Sequence, residues 1–252
     1  MGAGCAVTYD GLTALELGAR LKAPHCVVLA SVGSTLDVIH ELAEQGAPAG
    51  TVVLADEQTS GRGREGRRWH SPPGVGIWLG YLARPAPQAA TGVLALRVGL
   101  ALAAALRDLG ASPALKWPND VYLDDRKAAG VLCEARWLSP GGWVAVGVGV
   151  NVRGPLPPEL VAHAAAVDEV IPDVTRVAIL ERLVPRLQRL GSGALLSAEE
   201  QKSYGEMDWL AGRELAEPVR GRAVGIDRDG ALLVETPQGV KRVLAGTVVT
   251  AR

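Results

Sequence analysis

The chain has 252 residues, of which 48% are hydrophobic and 21% charged, enough apolar matter to bury a core and too much for a chain that stays disordered. With 26 Lys and Arg against 27 Asp and Glu, the net charge of −1 speaks against broad electrostatic capture of a nucleic-acid backbone. No run nears the roughly 20 apolar residues of a membrane span, and the N-terminus lacks the basic leader and long apolar stretch of a secretion signal.

In chain order, Leu12, Leu15 and Leu17 at near-helical spacing predict a short helix over 10–21. The run CVVLASV at 26–32 predicts a buried strand. Ser34 or Thr35 can cap the next helix, which carries Val38, Ile39 and Leu42 and stops at Gly46. Strands at 51–55 and 76–83 flank a Gly/Arg-rich loop, and a long Ala/Leu helix follows from about Gln88 to Leu109. Strands are then expected at 114–117, 121–123, 129–136 and 143–152, and a helix at 175–190. Ser197 and Glu200 form a capping-box signal for one more helix. From about Leu210, turn signals at Asp229-Gly230, Pro237, Gln238-Gly239 and Ala245-Gly246 predict a small all-β module docked on the main body. Strands and helices intermix without a βαβ repeat, which indicates an α+β fold.

The cysteines, Cys5, Cys26 and Cys133, are odd in number and widely spaced, and the four histidines are scattered. Neither a disulfide framework nor a structural metal site is expected, and a reducing, cytoplasmic setting is the simplest reading.

Three clusters carry chemistry. The segment Gly61-Arg62-Gly63-Arg64-Glu65-Gly66 satisfies GxGxxG after a strand, but it continues Arg67-Arg68-Trp69-His70-Ser71-Pro72-Pro73, which cannot open the helix that a dinucleotide site requires. Arg67-Arg68 also stand where a phosphate-binding P-loop needs Lys-Ser/Thr. What remains is a glycine loop with four arginines suited to phosphate and carboxylate; a solvated surface loop and a nucleic-acid-binding loop are the alternatives. The second cluster, Lys116-Trp117-Pro118-Asn119-Asp120 with Lys127 and Gly130, makes a good turn but carries more polar chemistry than a hairpin needs. The third, WVAVGVGVN at 143–151, alternates. Val144, Val146, Val148 and Val150 form a core wall, while Ala145, Gly147, Gly149 and Asn151 leave a nearly bare face where a flat ligand could lie, or another backbone could pack.

Together these clusters resemble the biotin–protein ligase family. The glycine loop with its flanks runs from Gln58 through Trp69 to Ser71-Pro72 and Gly74; the second signature is Lys116-Trp117-Pro118-Asn119-Asp120 with Lys127, Gly130 and Glu134; the third is Gly147-Val148-Gly149-Val150-Asn151-Val152. One departure is Ser34-Thr35-Leu36 where the family has Ser-Thr-Asn. The resemblance implies a mixed-sheet catalytic domain like that of class II aminoacyl-tRNA synthetases over 1–208, and a small SH3-like β-barrel over 209–252. It implies the monofunctional type, biotin–[acetyl-CoA-carboxylase] ligase, since some thirty residues before Ser34 are too few for an N-terminal DNA-binding domain, and DNA and membrane partners are not expected.

The implied reaction activates biotin with MgATP as biotinyl-5′-AMP and passes the acyl group to a lysine of a biotin carboxyl carrier protein. Magnesium enters with the ATP, no metal is held tightly, and a homodimer is left open. By the family pattern, Ser34, Thr35, Gln58, Arg62, Gly63, Arg64, Lys127 and Gly130 serve biotin, and Arg62, Arg64, Arg67, Trp69, Lys127 and Asn151 serve the nucleotide. Lys127, Arg62 and Asp120 are the catalytic candidates, with Asp120 orienting the incoming amine. The nearest rival is a lipoate–protein ligase; the rival of another class is a non-catalytic nucleotide- or RNA-binding module. The loop 61–69 is expected to be mobile until an anion relieves the mutual repulsion of its arginines, and then to close as a lid.

Overall fold

The structure, a computed structural model, describes residues 7–84, 91–138 and 141–251. Cys5 and the expected helix start at 88–90 lie outside them. Strand β1 (Cys26–Val32) lies parallel to β2 (Val52–Gln58), and helix α2 (Thr35–Glu44) joins the two. Helix α1 (Ala14–Leu21) precedes them and starts later than expected, because Asp10 (φ 50°) and Gly11 (φ 80°) turn the chain first and Thr13 with Glu16 forms the capping box. Leu17 and Leu21 are buried, whereas Leu15 points to solvent.

Antiparallel pairing then adds β3 (Gly76–Ala83), β7 (Gly141–Asn151), β6 (Arg126–Leu138), β5 (Asp120–Leu123) and β4 (Ala114–Lys116), giving a seven-stranded mixed sheet in the order β1-β2-β3-β7-β6-β5-β4. The expected valine wall is real: Val144, Val146, Val148 and Val150 join the main core, together with the almost wholly buried helix α3 (Thr91–Arg107) and α4 (Arg176–Leu187). On the opposite face Trp143, Ala145, Val53 and Leu82 form a smaller core with Leu36, Ile39 and Ala43 of α2. Gly80, paired with Gly147, lets the first turn of α2 settle on the sheet, since a Cβ there would lie 2.8 Å from Ile39 and 2.9 Å from the Thr35 carbonyl oxygen.

Helix α5 (Ala198–Gly205) is capped by Ser197 and Glu200 as expected, and the buried Arg97 of α3 ties it down by donating to Glu200 and to the carbonyls of Gly191, Gly193 and Leu195. No helix of the described residues is long and apolar enough to cross a membrane.

The C-terminal module corrects the expected fold. Strands β8 (Glu214–Glu217), β9 (Gly221–Ile226), β10 (Leu232–Thr236), β11 (Gly239–Val243) and β12 (Val249–Thr250) make an open antiparallel sheet in the order β11-β10-β9-β8-β12, not a closed SH3-like barrel. Closure needs the two edge strands to meet along a full ladder. Here β12 contributes two residues, both paired to β8, and the segment before it is committed elsewhere, since Gly246, Thr247 and Val248 face the main body. The docking itself is intimate. Trp117 Nε1 donates to the Gly230 carbonyl at 2.8 Å, and Leu215, Ala223, Leu232 and Val234 belong to the main core.

At this junction Asp208 forms a bridge with Leu115 of β4, and its Oδ2 is buried with no hydrogen-bond partner among the described residues. Burial pushes its carboxyl up to about 6, against one opposing bond from the Leu210 amide. A carboxyl whose folded pKa is raised costs stability as pH climbs from the unfolded value to the folded one, and the cost is complete above that window. Asp208→Asn is therefore expected to raise stability on the order of 1–3 kcal/mol at pH 7–8 and to change it little near pH 4, as read by thermal melts at both pH values.

Candidate functional site

Where the small core ends, the same face of the sheet carries glycines instead of side chains, and a cavity of about 570 Å³ opens over it. That volume suits a small-molecule site. Three chain segments form its main walls. The first is the buried start of α2. Ser34 Oγ accepts from the Leu36 amide, and Gln58 at the end of β2 accepts from both the amide (2.9 Å) and the hydroxyl (3.1 Å) of Thr35 while its Nε2 donates to Ser71 Oγ at 3.0 Å. Ser34 and Thr35 are 1% and 2% exposed, so these polar groups are held ready in an apolar wall. Leu36, at the position of the family's Asn, also lines the cavity, and a Cβ on Gly147 would lie 3.2 Å from it.

The second wall is the glycine loop. It folds as a tight hairpin, with Arg62 bridged to Arg68, Gly63 N donating to the Arg67 carbonyl at 2.7 Å, and a single 3-10 turn at Arg64–Gly66, where Glu65 (φ 58°) and Gly66 (φ 73°) are left-handed. No helix opens there, in keeping with the rejection of a dinucleotide motif. The arginines are not left to repel one another. Arg62 pairs with Asp37 and Glu134, Arg64 donates to Asn119 Oδ1 and the Gly246 carbonyl, Arg67 to Glu65 and Thr247, and Arg68 to the Thr59 carbonyl. The premise of bare repulsion between unpartnered arginines does not hold.

The third wall joins the turn before β5 to β6. Lys127 Nζ lies 2.6 Å from Asp120 Oδ1, close enough to pair charges yet off the line of a hydrogen bond, so that oxygen has no aligned donor. The same ammonium sits 5.2 Å from the centre of the Trp69 ring. Trp69 lies flat against the glycine floor, where a Cβ on Gly149 would come within 2.5 Å of its indole, and its Nε1 has no partner among the described residues. The bare face at Gly149 is thus covered by Trp69 itself. Asn119 is a structural tie, since its Nδ2 donates to the Val131 carbonyl at 2.6 Å. Lys116 points its ammonium over the rings of Tyr122 and Trp209, and burial, ahead of the repulsion from Lys127, holds its pKa below the usual lysine range despite the nearby Asp120.

Each of the remaining expected residues also borders the cavity: Gly63, Arg67, Gly130 and Asn151. Asn151 donates Nδ2 to the Ala165 carbonyl at 3.2 Å. Two lining segments were not foreseen. In the first, Pro157, Glu159, Leu160, His163 and Ala164 border the cavity, and its end runs beside Lys127, with Lys127 N donating to the His163 carbonyl and Ala165 N to the Lys127 carbonyl, which braces the backbone that carries the ammonium. Gly246, Thr247 and Val248 come from the C-terminal sheet. The Ala245-Gly246 turn was legible, but nothing local says what that turn touches. Among the described residues no group of three or more His, Cys, Asp or Glu is placed to hold a metal ion.

Comparison with known proteins agrees with this geometry. The model of the Biotin/lipoate A/B protein ligase family matches residues 28–151, and that of the Biotin protein ligase C terminal domain matches 212–250. The chain is 35% identical to a biotin–[acetyl-CoA-carboxylase] ligase of Paracoccus denitrificans, over 78% of this chain and 88% of that one. It is 31% identical to the bifunctional ligase/repressor BirA of Escherichia coli, over 94% of this chain and 77% of that protein. Among solved structures, the biotin protein ligase of Aquifex aeolicus in complex with biotin and ATP is 30% identical and superposes with a TM-score of 0.74, covering 91% of this chain and 99% of that one. The biotin-specific C-terminal match and the names of these relatives favour biotin over lipoate and a ligase over a non-catalytic module. Likeness of this extent makes the chain a member of the biotin–protein ligase family, an enzyme that takes biotin and ATP as its substrates.

Proposed function

We propose that this cavity carries out both half-reactions of biotin transfer, with the residues foreseen in the sequence in the roles the family implies. In the first, a carboxylate oxygen of biotin attacks the α-phosphorus of MgATP and pyrophosphate leaves. Two anions must be brought together, so the barrier is one of positioning and charge neutralisation. Lys127 is suited to the meeting point of carboxylate and α-phosphate, and Arg62, Arg64 and Arg67 to the surrounding phosphate and carboxylate oxygens. Ser34, Thr35 and Gln58 are suited to the ureido head of biotin, beside Gly63 and Gly130, which let the backbone approach. Trp69 and Asn151 would meet the adenosine part. Magnesium arrives with the nucleotide.

In the second half-reaction the ε-amine of a lysine on a biotin carboxyl carrier protein attacks the acyl carbon, AMP leaves, and the amine gives up a proton. Asp120 is the candidate to orient that amine and accept the proton. The observation that supports these roles best is that Lys127 and Asp120 stand 2.6 Å apart in the same cavity as the glycine loop and the polar start of α2. The catalytic unit is taken as residues 1–208 and the C-terminal unit as 209–252, a division supported by the separate sheets. A cytoplasmic setting is supported by the unbridged thiols of Cys26 and Cys133.

The test is transfer of labelled biotin to a purified carrier domain, with labelled lipoate as control. ATP-dependent label on one carrier lysine from biotin alone is the expected result. Label from lipoate, or none from biotin, would overturn the assignment.

A further inference from the structure

The floor of the cavity has two levels, set by the pairing of three strands. At the first, Gly80 of β3, Gly147 of β7 and Leu132 of β6 lie side by side, and at the second Gly149 is paired with Gly130. Two residues along a strand separate the levels by roughly 7 Å. The start of α2 covers the first level. Thr35 sits over Gly80, and Leu36 lies over Gly147, where a Cβ would come 3.2 Å from Cγ and both Cδ atoms of the leucine. Trp69 covers the second level, and Lys127 stands beside Gly130, where a Cβ would come 3.4 Å from its Nζ. A ligand that reaches from Thr35 to Lys127 therefore crosses β7 diagonally and passes Leu36 on the way. Leu36 is 3% exposed, packs with Ile39 and Trp143 in the small core, and still lines the cavity, as does Leu132. The polar start of α2 thus gives way, within one residue, to a hydrocarbon wall.

We propose that Leu36, the position at which this chain departs from the family motif, is a specificity-determining residue: it meets the sulfur-bearing ring of biotin and makes the site select the unoxidised thioether. The inference rests on the proposed placement of the ureido head at Thr35 and of the carboxylate at Lys127. Between those two ends biotin carries only carbon, hydrogen and one sulfur, first in the ring fused to the ureido group and then in the side chain. An apolar wall suits that part of the molecule. Biotin sulfoxide differs by one oxygen on the sulfur. Pressed against Leu36, that oxygen would lose its water and gain no donor, the imbalance that makes any buried, unpartnered acceptor costly. An asparagine here would present an amide N–H to the oxygen and, to biotin itself, a polar group with nothing to bond. Neither compound reacts at the sulfur, so the discrimination should appear in KM and leave kcat nearly level.

The experiment compares biotin with biotin sulfoxide, purified free of biotin, in pyrophosphate exchange and in equilibrium titration without ATP. The wild type should favour biotin about 10²-fold in kcat/KM, almost all of it in KM, with a matching ratio of dissociation constants. Leu36→Asn should narrow that ratio about tenfold from both sides, with weaker binding of biotin and tighter binding of the sulfoxide. Leu36→Met, which keeps an apolar side chain of similar volume, should hold the ratio within about threefold of the wild type. Should Leu36→Asn fail to fold, Leu36→Thr carries the same test with a smaller polar group. Equal use of the two compounds by the wild type, a ratio unmoved by the polar variant, a ratio that Leu36→Met narrows just as far, or a difference carried by kcat would overturn the proposal. A wild type that neither binds biotin nor exchanges pyrophosphate would sink the proposed function and this inference with it. Turnover of biotin without discrimination would sink this inference alone.

Discussion

Lys127→Ala is expected to slow adenylate formation by about 10²–10³-fold at saturating biotin and ATP, with the fold retained. Two effects add. The variant removes the cation suited to the junction of biotin carboxylate and α-phosphate. It also strips Asp120 of the ammonium 2.6 Å away, leaving a bare carboxylate in a cavity that must admit two more anions. The second effect can be separated from the first, since Lys127→Ala/Asp120→Asn removes the unmasked charge and should recover part of the lost pyrophosphate exchange. The double variant should still fail at transfer to the carrier lysine, because the candidate proton acceptor is gone. Thermal melts should barely move, as the Lys127 side chain is 31% exposed and its backbone is held independently by residues 163–165. Near-normal exchange in Lys127→Ala would remove the residue from the first half-reaction.

Arg176→Leu is expected to cost about 2–4 kcal/mol of stability, less than the ~3–5 kcal/mol of stranding a fully buried charge, because the Asp10 and Asp56 side chains stay 21% and 31% exposed. Arg176 begins α4 with its side chain 4% exposed. It reaches Asp10 Oδ1 through Nε (3.0 Å) and Nη2 (2.5 Å), Asp56 Oδ1 through Nη1 (2.6 Å) and the Gly76 carbonyl at 3.4 Å, and it stacks 4.0 Å from the centre of the buried Tyr9 ring. One guanidinium thus ties the turn before α1, the strand β2 and the start of β3 to α4. Leucine would fill much of the space and leave two carboxylates facing each other without a cation. For a chain of this length each kcal/mol moves the midpoint by about 2–4 °C, so the melt should fall on the order of 10 °C. Arg176→Lys should recover little, since an ammonium cannot fork between both carboxylates and the carbonyl. A shift of only one or two degrees in Arg176→Leu would show that the network contributes specificity rather than stability.

Much of this protein was legible in short-range pattern. The run CVVLASV is β1 to the residue, residues 76–83 are β3, and Ser197 and Ser34 cap helices, because strand alternation and caps depend on neighbours two or three positions apart. The valine and glycine faces of β7 were readable for the same reason, as was the convergence of three motifs once their joint resemblance to biotin ligases was seen. What the sequence could not supply are the contacts between residues far apart along the chain. Whether the C-terminal strands close into a barrel depends on where residues 246–248 are spent, and they are spent on the cavity wall. Whether the arginine loop is bare or counter-charged depends on Asp37 and Glu134, 25 and 72 residues from Arg62. Whether Gly149 offers its face to a ligand depends on where the chain folds Trp69. Residue types and local periods determined the elements, the motifs and the chemistry available. Tertiary packing alone decided which charges meet, because the energy of a pair is set by its distance and burial, neither of which is written in the spacing of the residues.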